Sequence, residues 1–192
     1  MKMKALIAAL FLAAIFVSEA FAHPEFQRYY KEASGRSVNC GMCHMHSDGP
    51  EGVKSGQIGS LGQDDLNALG LARQALEPGA GLKSPLLNEF GNAILNDLGK
   101  NKIGEFKQRP ELLAGALPKA RDLDEDGITD VEEFLDGTHP LNSLDGRPWK
   151  LFKHNVVKNR FHLFMIVLAT AFGFFGLKSA IAWLSSKARN EE

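Results

Sequence analysis

The chain has 192 residues, with 22 Lys or Arg against 23 Asp or Glu and a formal net charge of −1. That balance hides a segregation: the stretch from Asp122 to Asp136 carries eight acidic residues and no basic one, while Arg147, Lys150, Lys153, Lys158 and Arg160 cluster further on. The basic cluster is short and abuts an apolar run, so nothing points to nucleic acid, and two strongly apolar ends leave only the middle of the chain for a globular core.

Lys2 and Lys4 precede an apolar run from Ala5 to Val17 and then Ala20-Phe21-Ala22, the layout of a signal peptide over residues 1–22. The mature chain is expected to begin at His23, outside the cytoplasm, where uncapped thiols oxidise. Pro24 starts a short helix with Phe26, Tyr29 and Tyr30 at helical spacing, and Gly35 stops it.

Cys40-Gly41-Met42-Cys43-His44 contains the only two cysteines of the chain. Its spacing is that of c-type haem attachment: two thiols add to the two vinyl groups of haem, and the adjacent imidazole ligates the iron. A redox dithiol leaves His44 unexplained. A zinc site built from Cys40, Cys43, His44 and His46 needs four ligands converging from a short stretch. The leader supplies the compartment that haem attachment requires, so haem c is the cofactor expected.

Residues 47–60 are mostly Gly, Ser, Asp, Pro and Lys and read as a loop. A helix fits Gln63 to Glu77, stopped by Pro78-Gly79. Another is expected from Ser84 as cap and Pro85 at the first position, through Leu87, Phe90, Ile94 and Leu98 to Gly99. Shorter pieces follow around Ile103 to Gln108 and Pro110 to Leu117. No stretch alternates like a strand for long, so the fold class expected is all-α, a helical haem domain over residues 23–118.

Cys40 to His44 followed by Pro85-Leu86-Leu87-Asn88-Glu89-Phe90-Gly91 resembles secreted bacterial proteins that carry one haem-attachment motif and then a Pro-x-Leu-Asn-x-Phe-Gly segment. In those proteins the two elements lie close together, whereas some forty residues separate them here. The resemblance implies a monohaem c-type cytochrome. A mid-helix glycine such as Gly91 marks a close approach, by a porphyrin or by a neighbouring helix.

Residues 119–146 hold an EF-hand-like loop and a connector. From Asp122 to Glu133, carboxylates occupy positions one, three, five, nine and twelve, and Gly127 sits at six, the pattern that wraps oxygens around Ca²⁺. The expected ligands are Asp122, Asp124, Asp126, Glu133 and the carbonyl of Ile128, with Asp130 binding directly or through water. Thr129 replaces the apolar residue usual at position eight. The continuation Gly137-Thr138-His139-Pro140-Leu141-Asn142 resembles thrombospondin type 3-like repeats of secreted bacterial proteins, which commonly have an acid where His139 stands.

Residues 147–160 form a basic juxtamembrane segment suited to lipid headgroups. The apolar run of residues 161–184 spans roughly 36 Å as a helix against a bilayer core of about 30 Å, and residues 185–192 make a short cytoplasmic tail. Within the helix, Ala169, Gly173, Gly176 and Ala180 form a strip of small residues with His162 on the same face.

A second axial ligand is not evident. Met42 lies inside the motif, Met45 adjoins His44 and Met165 is in the apolar run. His46 cannot reach the opposite porphyrin face from its place beside His44. The candidates are His23, His139, His154 and His162. The expected function is single-electron transfer at the periplasmic face of the cytoplasmic membrane, without bond-making catalysis, beside an integral membrane redox subunit or other cytochromes. A haem-based gas or redox sensor and a mainly structural calcium-binding subunit are the alternatives.

Overall fold

The computed structural model describes residues 24–190. The expected leader, His23 and the last two residues lie outside the described residues. Seven α-helices and no strand occur among the described residues: α1 (Pro24–Ser34), α2 (Gln63–Ala72), α3 (Glu89–Phe106), α4 (Glu111–Ala116), α5 (Asp130–Asp136), α6 (Pro148–Lys158) and α7 (Arg160–Asn190).

The main core gathers one apolar face from each of α1, α3, α4 and α5, with Tyr30, Phe90, Ile94, Phe106, Leu113 and Phe134 all buried. Phe134 is the hub. Its ring lies 3.9 Å from that of Tyr30, in direct contact, and 5.5 Å from that of Phe90, inside the range where aromatic pairs add to plain burial. The segment expected to be a connector to the membrane therefore supplies part of the core itself. A smaller cluster joins Ala72 and Ala75 to Leu95 of α3.

Two helices differ from their sequence expectation, and one contact explains both. Helix α2 ends at Ala72 rather than at Glu77, because the carbonyls of Ala75 and Leu76 turn to accept from the N–H groups of Lys100 (2.8 Å) and Asn101 (3.1 Å). Those donors are free because Gly99 breaks the α3 ladder at φ 70°, ψ 159°. A side chain at Gly99 would strain that backbone and collide with the backbone of Leu76 and Glu77. Gly99 thus ends the first half of α3, as expected of a terminator, while the stretch expected as a separate helix near Ile103 continues beyond the kink.

The start of α3 also moves. Ser84 and Pro85 form a turn, and the cap is Asn88, whose Oδ1 accepts from the N–H of Gly91 at 2.8 Å. Asn92 fastens the turn to the helix, donating to the carbonyls of Ser84 (3.1 Å) and Leu87 (2.8 Å) and accepting from the N–H of Ser84 (2.7 Å).

Helix α6 turns one face back onto the globule. Lys150 pairs with Asp136 at 2.6 Å, and the guanidinium of Arg147 donates to the carbonyl of Ser34 at 2.9 Å. Two members of the basic cluster expected at lipid headgroups are therefore engaged by the protein itself, while Lys153, Lys158 and Arg160 remain exposed. Helix α7 follows after Asn159. Its 31 residues are long and apolar enough to cross a membrane, and none of its apolar window is covered by the rest of the chain. Gly173 and Gly176 face open space.

Candidate functional site

Asn39 opens the Cys40–His44 motif, its side chain accepting from the N–H of Gly41 at 2.8 Å. A single 3₁₀ turn follows over Cys40–Met42, closed by the N–H of His44 donating to the carbonyl of Cys40 at 2.9 Å. This turn places both cysteines and His44 on the wall of one cavity of about 190 Å³. Phe26 and Tyr30 of α1, Gly91, Ile94 and Leu95 of α3, Leu113 of α4 and Phe134 of α5 supply most of the remaining wall.

The Pro85–Gly91 segment closes over the motif despite the forty residues between them. His44 and Leu87 form an antiparallel bridge, and the N–H of Met45 donates to the carbonyl of Leu86 at 3.1 Å. The Asn88 amide donates to the carbonyls of Gly41 (2.8 Å) and Met42 (3.1 Å), and its backbone N–H donates to that of Cys43 (3.1 Å). Among the described residues the group approaching Gly91 is the carbonyl of Cys43, which would overlap any Cβ placed there. Phe90, fully buried, holds the helix beneath.

His44 is oriented for metal ligation through its far nitrogen. Its Nδ1 lies 3.3 Å from the carbonyl of Leu86, so the proton sits on Nδ1 and leaves the Nε2 lone pair available. Burial holds the imidazole below the ordinary histidine value, in the neutral form that binds metal.

The rival chemistries fit less well. Burial pushes the Cys43 thiol up to about 12 and also raises that of Cys40, opposite to the depressed values of redox-active dithiols. For zinc, no group of three or more Cys and His side chains converges among the described residues. His46 instead turns away, its Nδ1 accepting from the N–H of Asp48 at 3.1 Å.

Of the expected distal ligands, His139 is committed elsewhere. Its Nδ1 accepts from the N–H of Leu141 (3.2 Å), which leaves Nε2–H to donate to the carbonyl of Gly41 (3.0 Å). It latches the far side of the motif rather than entering the cavity. His154 lies against Gly127, and His162 is exposed on α7.

The acidic loop has a consistent pattern. Asp122, Asp124 and Asp126 each use one oxygen to accept a loop N–H, from Gly127 (2.9 Å), Asp126 (3.2 Å) and Ile128 (2.7 Å) respectively. Each leaves its second oxygen buried and unpartnered, as does Glu133. Carboxylate oxygens of the three aspartates lie within 4.8 Å of one another. Glu133 is fully buried, and burial followed by the charges of Asp124 and Asp126 pushes it up to about 9. Four orphaned oxygens at positions one, three, five and twelve are a donor set of the kind a hard cation takes.

Asp130 does not belong to that set. One of its oxygens accepts from the N–H of Leu123 (2.8 Å) and the other from Nε of Arg121 (2.7 Å), whose Nη1 reaches Asp97 of α3 at 2.6 Å. This expected ligand is instead a strut between the loop and the core. Thr129, the departure at position eight, is the cap of α5, accepting from the N–H of Glu132. No family profile, no curated protein and no solved structure matches the chain.

Proposed function

We propose that the protein is a membrane-anchored monohaem c-type cytochrome that passes single electrons at the outer face of the cytoplasmic membrane, with its soluble domain braced by calcium. The observation that carries this reading is the meeting of Cys40, Cys43 and His44 on one apolar cavity, with His44 Nδ1 engaged by the carbonyl of Leu86.

Cys40 and Cys43 would hold the group through thioethers, and His44 Nε2 would be the proximal ligand. Haem bound there supplies a one-electron iron couple. The chain's part is to fix the ligand nitrogen, to hold the attachment turn rigid through Asn88 and His139, and to keep water from the apolar wall, which tunes the potential. Asp122, Asp124, Asp126 and Glu133 would bind Ca²⁺ with the Ile128 carbonyl. Helix α7 would confine the domain near an integral membrane redox subunit or another cytochrome, raising the effective concentration for exchange.

The test is expression of the full chain in a host that attaches haem in its periplasm. A denaturing gel stained for haem peroxidase activity should show a band at the protein's mass, absent from Cys40→Ala/Cys43→Ala. Loss of the stain on acid acetone extraction would refute covalent attachment. Rapid carbon monoxide binding by the reduced protein would favour a gas sensor over a carrier.

A further inference from the structure

We propose that Lys100 supplies the sixth ligand to the iron, an inference that rests on the haem reading above. The three described histidines expected in that role are held elsewhere: His139 against the Gly41 carbonyl, His154 against Gly127 and His162 on α7. His23 lies outside the described residues, so among the described ones the search turns to the side chains that line the cavity.

Most polar groups on that wall are already committed. The Tyr30 hydroxyl donates to the carbonyl of Pro110 at 3.1 Å, and burial holds the phenol well above its ordinary value, so no phenolate forms. Gln27 donates to the carbonyl of Val38 at 2.9 Å, and the Asn39 side chain caps the attachment turn. Met42 sits between the two anchoring cysteines, buried within the core cluster. Lys100 also lines the cavity while remaining exposed to solvent, and among the described residues its amine has neither a hydrogen bond nor an ion pair.

The kink at Gly99 is what brings it there. On an unbroken helix Lys100 would lie about 140° around from Leu95 and would point off the cavity face. The left-handed step at Gly99 redirects the chain, the N–H of Lys100 is pinned to the carbonyl of Ala75 at 2.8 Å, and Lys100 and Ile103 both reach the cavity wall. A neutral lysine amine is a nitrogen donor to iron like imidazole, whereas an ammonium could only pair with a haem propionate.

Two variants separate those roles. Lys100→Ala removes the donor and leaves the backbone bond to Ala75; Lys100→Arg keeps length and charge but cannot ligate. The full-length holoproteins, each first shown to carry haem by peroxidase stain, are compared by electron paramagnetic resonance and by carbon monoxide binding. The expected result is a low-spin ferric signal in the parent, lost to high-spin in both variants, and rapid carbon monoxide binding only in the variants. Retention of the low-spin signal in Lys100→Arg, loss of it in His23→Ala with Lys100→Ala unchanged, or a parent that is already high-spin would each overturn the proposal. A parent without stain would refute the haem reading instead.

Discussion

The α-carbon of Gly91 lies directly against the carbonyl of Cys43, so close that an added methyl would overlap the oxygen. That carbonyl cannot retreat, because it also accepts from the N–H of Asn88 at 3.1 Å. Gly91→Ala should therefore destabilise the protein by about 1–3 kcal/mol, although alanine is the better helix former, and should lower the yield of haem-stained protein. Thermal melting of the purified variant checks this. A melting temperature equal to the parent's would mean that the motif is not seated on α3 in this way.

Asn88 does two jobs with one amide. Its oxygen caps α3, and its nitrogen bridges two carbonyls of the attachment turn. Asn88→Ala removes a cap worth about 1 kcal/mol and two hydrogen bonds of about 1 kcal/mol each, so a loss of roughly 3 kcal/mol is expected. Asn88→Asp keeps the cap oxygen and loses the bridging donor, and should fall between the two. If Asp proves as damaging as Ala, the motif contacts outweigh the cap.

The starts of α1 and α2 and the end of α3's first half at Gly99 were legible because each depends on residues adjacent in sequence. The junction between Cys40–His44 and Pro85–Gly91 was not, since backbone pairing across forty residues leaves no local periodicity; only the resemblance hinted at it. Helix α2 was read too long because Leu76 continues the apolar face of Leu66, Leu69 and Ala72, and the competing use of the Ala75 and Leu76 carbonyls comes from a kink elsewhere. Asp130 fits the loop pattern by position, yet it is buried and a half-buried arginine from outside the loop claims it. Lys100 could not be found from sequence, because its access to the cavity depends on the angle of that same kink.

Within the loop, substitutions should separate ligands from struts. Asp124→Asn with Asp126→Asn should abolish the calcium-dependent rise in melting temperature. In the parent, calcium at ten to a hundred times its dissociation constant should add about 1.4 to 2.7 kcal/mol. Asp130→Asn should instead leave the calcium response intact while costing about 3 kcal/mol, at the low end for a broken buried pair because Arg121 keeps Asp97. Calorimetric titration of the purified domain with Ca²⁺, after chelator treatment, measures both. An Asp130→Asn protein that no longer binds calcium would restore that residue to the ligand set.

The last prediction concerns how the loop reaches the membrane segment. The His154 ring of α6 packs onto Gly127, the turn residue of the acidic loop, where any side chain would collide with it. Gly127 holds φ 88°, and its N–H donates to Asp122, one of the proposed ligands. Leu151 packs against Gly146 in the same way, and Lys150 pairs with Asp136 of α5, so α6 leans on the loop at Gly127 and on the segments that follow it. Calcium should therefore order α6 as well as the loop: removing it lets the three aspartates repel one another, opens the turn at Gly127 and loosens the seat of His154. Hydrogen exchange on the full chain in detergent should show α6 amides protected in calcium and faster by at least about tenfold in chelator, whereas α3 amides change little. His154→Ala should raise α6 exchange in calcium toward the chelator level without altering calcium affinity. If exchange in α6 ignores both chelator and His154→Ala, this helix is held by α7 alone and the loop does not brace it.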